Sequence, residues 1–381
     1  MDLSLDTKQL QYINLIKELG EKEIIPYSSK HDHSVDVSFD WQLVKILGEH
    51  NLVCPTIPEA YGGLGLDHFT TALIMEEIAA ICPGLAAIID TNVHAVEPLL
   101  LAGSEQQKEA FLPALTGKNA GLAAFALTEP TGGSYVNGMS TNAEKQPWGY
   151  VINGQKDYVL NAPLAQFILL FAFTDHENKR NSMRAFIVPA QTPGCMIGPG
   201  HDLAALDYAQ TAAISFENVN LSNDLIIKER EVCSGYLLMG QTLDLGRALV
   251  GATAVGIARA AYDLAREFAD TRRQNGVGIR QHQAIAHMLA DMATKIELAR
   301  LMTWKACWLI DQGGDYTVPS AMAKVTASTF AQEVTCMASD IMAARAFEKG
   351  SFIEQLVRDA RVLSTLEGTN IIQKNLIASL L

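Results

Sequence analysis

Cysteine is scarce and unpaired in this chain of 381 residues. Cys54, Cys82, Cys195, Cys233, Cys307 and Cys336 show no CxxC pairing and no metal-ligand spacing. A disulfide scaffold is therefore excluded, and the six read as reduced, mostly buried thiols of a cytoplasmic protein. Positive charge is also in deficit: 29 Lys and Arg stand against 42 Asp and Glu, a net charge of −13 at pH 7. Neither nucleic acid nor an anionic membrane is the expected partner, and an anionic ligand needs a locally basic site. No uninterrupted apolar run reaches about 18 residues, so no membrane span is expected. Met1-Asp2-Leu3-Ser4-Leu5-Asp6 is too acidic for a secretory signal or transit peptide. Internal repeats and low-complexity tracts are missing as well.

What is present is a large apolar interior. Hydrophobic residues make up 49% and charged residues 19%, which excludes a disordered chain. The length suggests two or three subdomains. Residues 1–118 read as helices broken by turns, notably the Pro- and Gly-rich stretch from Cys54-Pro55 to Gly65 and the stop at Pro83-Gly84. Residues 119–230 change to strand texture: Phe167 to Phe173, Ala185 to Val188, and Ile214 alternating with Phe216. Asn153-Gly154, within Tyr150-Val151-Ile152-Asn153-Gly154-Gln155-Lys156, is a hairpin signal. Helical periodicity returns over 231–381. Ile257, Ala261, Leu264 and Phe268 share a face, and Ile285, Leu289, Met292, Ile296 and Ala299 follow the 4-3-4-3 spacing of an antiparallel bundle. Those C-terminal helices are apolar on more than one face, which predicts a homodimer or homotetramer.

Chemistry concentrates near the end of the chain. In Leu366-Glu367-Gly368-Thr369-Asn370 a single acid sits on a tight Gly turn before a helix that Thr369 and Asn370 are suited to cap. Earlier stand Pro58-Glu59-Ala60-Tyr61-Gly62-Gly63-Leu64-Gly65, Leu127-Thr128-Glu129-Pro130-Thr131-Gly132-Gly133-Ser134 and Ile152-Asn153-Gly154-Gln155-Lys156. Arg247 heads a long apolar helix, and Arg272-Arg273-Gln274-Asn275-Gly276 precedes His282-Gln283. A buried Arg247 needs a counter-charge. His31-Asp32-His33 resembles a metal motif only superficially, being in a polar turn without a further spaced ligand, and no metal is expected.

Taken in order and spacing, these six motifs resemble the acyl-CoA dehydrogenase family over essentially the whole chain. The resemblance implies an α+β fold, mostly α, with an N-terminal helical domain, a middle β-barrel-like domain and a C-terminal four-helix bundle. It implies FAD as cofactor, an acyl-CoA or acyl-carrier-protein substrate, and an electron-transferring flavoprotein as redox partner. In such enzymes a carboxylate removes a proton from Cα of the thioester while hydride leaves Cβ for the flavin. Glu367 is the implied base, its pKa expected to rise on burial beside apolar groups such as Leu366. Its own N–H, with a flavin hydroxyl, would hold the thioester oxygen. Phe125, Leu127, Thr128, Gly133, Ser134, Tyr158, Leu160, Arg272, Gln283 and Thr369 are the implied flavin contacts. Asp90, His94, Arg247, Leu366 and Gly368 would line the acyl pocket, with Arg247 paired to Asp90.

The sequence departs from the family around the flavin. Ala-Gly-Ser-Asp is replaced by Gly132-Gly133-Ser134-Tyr135, and the Thr of an aromatic-x-Thr segment by Leu160 of Tyr158-Val159-Leu160. Asn275 stands for a Phe, Asp207 for a basic residue, and Asp340-Ile341-Met342-Ala343-Ala344-Arg345-Ala346 for Gln-x-x-Gly-Gly-x-Gly. Each lost polar contact is expected to cost about 1–3 kcal/mol of cofactor binding. Two alternatives follow: a thioester double-bond isomerase using Glu367 without net redox chemistry, and a non-catalytic oligomeric binding module.

Overall fold

The computed structural model describes residues 4–28, 39–227 and 234–381; His31-Asp32-His33 and Cys233 lie outside the described residues. Helices come first: α1 (Thr7–Leu19), α2 (Ile25–Ser28), α3 (Gln42–Glu49), α4 (His68–Ala79), α5 (Pro83–Ala102) and α6 (Glu105–Phe111). Their starts follow from local chemistry. Asp6 and Gln9 form a capping box on α1, Asp67 caps α4, and α5 begins with Pro83, whose missing N–H costs nothing at a helix start.

The middle of the chain is a single eight-stranded sheet. It comprises β1 (Leu122–Ala126), β2 (Asn142–Gln146), β3 (Gly149–Leu160), β4 (Ala165–Phe173), then, after a short α7 (Lys179–Ser182), β5 (Met183–Pro189), β6 (Cys195–Gly200), β7 (Thr211–Ser222) and β8 (Ile226–Ile227). The strand order is β6-β7-β3-β2-β4-β5-β8, with β1 parallel to β4. Alternate side chains of β4 and β5 enter two separate apolar clusters, one shared with the N-terminal helices and one inside the sheet. This explains why Phe167 to Phe173 reads as a continuous apolar run: both of its faces are buried.

The expected hairpin turn is misplaced. Asn153 and Gly154 both lie inside β3, where the pairing with β7 slips between Ile152 and Gly154 and Gly154 takes φ 148. The turn between β2 and β3 is Pro147-Trp148. Positive φ was the correct signal, but here it serves a bulge. Lys156, just beyond, is fully buried and donates to Leu127 O (2.9 Å) and Glu129 Oε1 (3.0 Å). Glu129 also accepts from the backbone and hydroxyl of Ser140 and Thr141. This buried ion pair ties the segment after β1 to β3 and so fixes Thr128 in place.

The C-terminal part holds α8 (Gly235–Thr271), a small hairpin of β9 (Arg273–Gln274) and β10 (Val277–Gly278), then α9 (Gln283–Asp311), α10 (Thr317–Met342), α11 (Phe352–Val362) and α12 (Asn370–Leu380). Leu289, Met292, Ile296 and Ala299 form the seam of α9, as the spacing predicts, with Ile285 packed at its edge. Two helices, α5 and α8, are long and apolar enough by composition to cross a membrane. Their apolar windows are 89% and 78% buried within the fold, where they act as core helices. Arg259 of α8 grips Glu77 with two hydrogen bonds and Arg300 of α9 reaches Glu76, which locks α4 onto the bundle.

Candidate active site

Three segments far apart in sequence meet at Glu367: helix α5, helix α8 at Gly246 and Arg247, and the turn between α11 and α12. Helix α8 begins at Gly235, so Arg247 lies well inside the helix and not at its head, as the sequence had suggested. Backbone conformation aims the acid. Glu367 takes φ 51 and Gly368 φ 84, both in the left-handed region. A Cβ on Gly368 would stand 2.7 Å from Gln373 Nε2, so glycine is required there twice over. Thr369 caps α12 by accepting from Ile372 N, and buried Gln373 donates back to Glu367 O at 2.8 Å.

A residue not foreseen from sequence completes the turn. Lys324 of α10 is buried and donates to Ser364 O (3.1 Å), Gly368 O (2.9 Å) and Asn370 Oδ1 (2.8 Å). Burial pushes its pKa down, only partly offset by Glu367, to about 7. One signal was available: a lone cation in the Ala-rich run Ser320-Ala321-Met322-Ala323-Lys324 marks a charge on a buried helix face. The turn's carbonyls are thus held from behind. Among the described residues nothing accepts from the Glu367 N–H, which is left available to a ligand.

The Glu367 carboxylate is enclosed, with 19% of its side chain exposed, and its Oε2 stands 3.2 Å from His94 Nε2. His94 is 1% exposed and lies on the inner face of α5. Its Nδ1 is 2.8 Å from Asp90 O and 3.5 Å from Asp90 Oδ1. Room for the imidazole comes from Gly246, the second residue missed from sequence: a Cβ there would fall 1.6 Å from His94 Nε2. Phe125 closes the other side, its ring centroid 5.7 Å from that of His94. Leu366 packs against the main core and the bundle core together.

The electrostatics correct two expectations. Burial does push the Glu367 carboxyl up, but His94, Arg247 and Lys324 pull it further the other way, and the net shift is downward. Burial lowers His94, yet Glu367 and Asp90 lift it to about 10, so the two form an imidazolium–carboxylate pair. The Arg247–Asp90 pair does not form. Arg247 instead binds Asp244, one turn earlier on its own helix, and Asp244 also accepts from Thr317 Oγ1 at 2.7 Å. A partner already in place along the helix costs less to engage than one across a packing interface. Asp90, left with no hydrogen bond to Oδ1, is raised by burial to about 7.

The residues expected around a flavin fall into two places. Phe125, Leu127 and Thr128 run along and beyond β1, while Tyr158 and Leu160 lie on the adjoining β3, joined by Asp157 N donating to Thr128 O at 2.9 Å. Gly133 sits directly against Thr128 Oγ1, and Ser134 is exposed beside it. Tyr158 is 58% exposed and stacks on His201, with 4.8 Å between ring centroids. The second place is a groove of about 700 Å³ lined by Arg272, Asn275, Ile285, Ala343, Ala344 and Arg345. Gln283 is exposed at the start of α9. Two exposed guanidinium groups flank this groove, a donor set suited to a diphosphate. Asp207 has its own explanation: it pairs with Arg358 of α11 at 3.3 Å, while Asp359 accepts from Leu206 N, so this loop is docked on the bundle by its own charges.

Ala343 stands in the groove wall at φ 53, ψ −133, a region that favours glycine. Ala343→Gly is therefore expected to stabilise the fold by about 1 kcal/mol, read as a higher urea midpoint, and to tighten cofactor retention during dilution. An unchanged or lower midpoint would show that the strain is illusory.

Comparison with known proteins agrees with this geometry. Sequence profiles for the N-terminal, middle and C-terminal domains of acyl-CoA dehydrogenase match residues 6–119, 124–219 and 234–381. A probable acyl-CoA dehydrogenase of Bacillus subtilis is 35% identical over 381 residues, covering 99% of both chains. The mitochondrial short-chain specific acyl-CoA dehydrogenase of Mus musculus is 33% identical over 363 residues, 95% of this chain and 87% of that one. The solved butyryl-CoA dehydrogenase of Megasphaera elsdenii superposes with a TM-score of 0.94 at 32% identity, covering 100% and 99% of the two chains. The protein is an FAD-dependent oxidoreductase of acyl thioesters, and the chain belongs to the acyl-CoA dehydrogenase family.

Proposed function

We propose that this enzyme introduces a double bond between Cα and Cβ of a short acyl thioester, with Glu367 as the base. The observation that carries this reading is the enclosed carboxylate of Glu367 on a rigid turn whose own N–H is unoccupied. Bound FAD supplies the acceptor for the hydride leaving Cβ. The Glu367 N–H donates to the thioester carbonyl oxygen and stabilises the charge that develops as Cα–H breaks. The carboxylate takes the α-proton. Leu366 and Phe125 exclude water, and Lys324 and Gln373 hold the turn so that neither group drifts.

Thr128, Gly133, Ser134, Tyr158 and the Leu160 backbone are proposed to meet the flavin ring and its linker. Arg272 and Arg345 are proposed to meet its diphosphate, with Thr369 and Gln283 as supporting contacts. Thr369 Oγ1 already serves as a cap, so its hydroxyl hydrogen is what remains to donate. Asp90, His94, Arg247 and Gly368 bound the acyl end. CoA is the proposed carrier, an electron-transferring flavoprotein the proposed acceptor, the cytoplasm the proposed location, and a homodimer or homotetramer the proposed assembly. Exposed Leu298, Phe347 and Ile371 on the C-terminal part support association.

The test is product mass. Holoenzyme given short acyl-CoA and acyl-carrier thioesters, with an artificial electron acceptor, should release a CoA product two hydrogens lighter. A product of unchanged mass with a moved double bond would establish isomerisation instead, and binding without any product would establish a binding module. Turnover confined to carrier-protein thioesters would overturn the choice of CoA.

A further inference from the structure

Where β3 passes beside Thr128 its backbone leaves the regular extended path. The pairing of β3 with β7 slips between Lys156 and Val159, so Asp157 and Tyr158 lie in a bulge, and Tyr158 takes φ 52. Residues with a bulky side chain rarely hold a left-handed φ, and one that does is fixed there by its surroundings. The ring so placed is not in the core, for Tyr158 is 58% exposed. Bulges re-aim side chains, and this one presents a large ring at the surface.

A single carboxylate organises the position. Asp157 Oδ1 accepts from Tyr158 N at 2.9 Å and from His201 Nε2 at 2.7 Å. The His201 imidazole lies nearly flat against the phenol ring, with 4.8 Å between centroids and 21° between planes. His201 is itself anchored, because its N–H donates at 2.7 Å to O of Thr211, the residue of β7 that pairs with Leu160. On the other side Asp157 N donates to Thr128 O at 2.9 Å, which joins the bulge to the segment after β1. Backbone, carboxylate and imidazole therefore close a clamp on Tyr158, while much of its ring stays open to solvent.

We propose that Asp157 and His201 are positioning residues that hold Tyr158 as a stacking platform for the flavin ring. This rests on the reading of Tyr158 as a flavin contact and extends it to the two residues behind it. The need for a platform is local. Leu160 offers a flavin no side-chain hydrogen bond, so holding the ring on this strand falls to stacking and to backbone groups. An unclamped tyrosine would lose rotamer freedom when the cofactor docks, a cost that prior ordering removes. Stacked aromatic rings add affinity beyond the area they cover. No bond is made or broken by the clamp; it acts on cofactor binding and orientation.

The experiment reads the flavin itself in holoenzyme, by its fluorescence lifetime and by its release on dilution. A phenol stacked on oxidised flavin quenches the emission, so the lifetime reports whether Tyr158 is in place. Tyr158→Leu is expected to lengthen the lifetime severalfold. His201→Ala should lengthen it too and speed release by about 2- to 10-fold, the range that one aromatic pair contributes. Asp157→Ala, which frees both Tyr158 N and His201, should match it, and His201→Phe, which restores a stacked ring, should bring both readings back toward wild type. A merely structural role would lower the urea midpoint and leave the lifetime alone. Wild-type lifetime and release in His201→Ala and Asp157→Ala, beside a lengthened lifetime in Tyr158→Leu, would overturn the clamp and keep Tyr158 on the flavin. An unchanged lifetime in Tyr158→Leu would remove the flavin contact itself, and the clamp with it. Should Asp157→Ala not fold, His201→Ala decides alone, since that side chain is 30% exposed.

Discussion

Glu367→Gln is expected to lower the rate of dehydrogenation by about 10²–10⁴-fold, the range by which positioned general bases contribute. The amide keeps the shape of the side chain and its turn, whose hold comes from Lys324 and Gln373 through backbone carbonyls and Asn370, not through the carboxylate. Folding should therefore survive. His94 loses its main counter-charge and is free to release its proton, which removes the cost of an unpaired buried cation. The signature is a loss confined to kcat, with thioester binding retained. A loss of binding with kcat intact would assign Glu367 to the pocket wall.

Gly246→Ala should be nearly as damaging, although its new methyl bears no chemistry. The Cβ would lie 1.6 Å from His94 Nε2 and 2.0 Å from its Cε1, far inside contact distance. His94 is hemmed in by Phe125, by α8 and by Asp90, so the ring cannot retreat without carrying Glu367 away from the substrate. Misplacing a reacting group by about 1 Å can cost about 10²-fold in rate, and overpacking adds about 1–3 kcal/mol of destabilisation. Steady-state kinetics and a urea melt of the same preparation read both effects. A Gly246→Ala enzyme with wild-type kcat would mean that the His94–Glu367 contact does not order the base.

Much of this site could be read from sequence because its parts carry unusual residue types in a fixed order. Glu367, Gly368 and Thr369 combine an acid, a residue free to take φ 84 and a helix cap, three demands that few stretches satisfy together. The four-three spacing of Leu289, Met292, Ile296 and Ala299 likewise encodes one buried helix face. What failed was pairing across space. Arg247 called for a counter-charge, but nothing in one dimension shows that Asp244, a turn away, reaches it before Asp90 does. The direction of the Glu367 shift failed for the same reason, since it depends on His94 and Lys324 arriving from two other helices. Gly246 was hidden because a glycine in an apolar helix gives no hint of which side chain needs its missing Cβ. The Asn153-Gly154 signal reported a real positive φ, while only strand pairing distinguishes a bulge from a turn.

The central claim is that Glu367 removes the α-proton of an enclosed thioester. It is tested most directly by mixing oxidised wild-type and Glu367→Gln holoenzymes with the same acyl-CoA without oxygen and watching the flavin colour. The account predicts rapid bleaching in wild type and an oxidised spectrum that persists in the variant although the thioester is bound; bleaching at equal rates in both would contradict it.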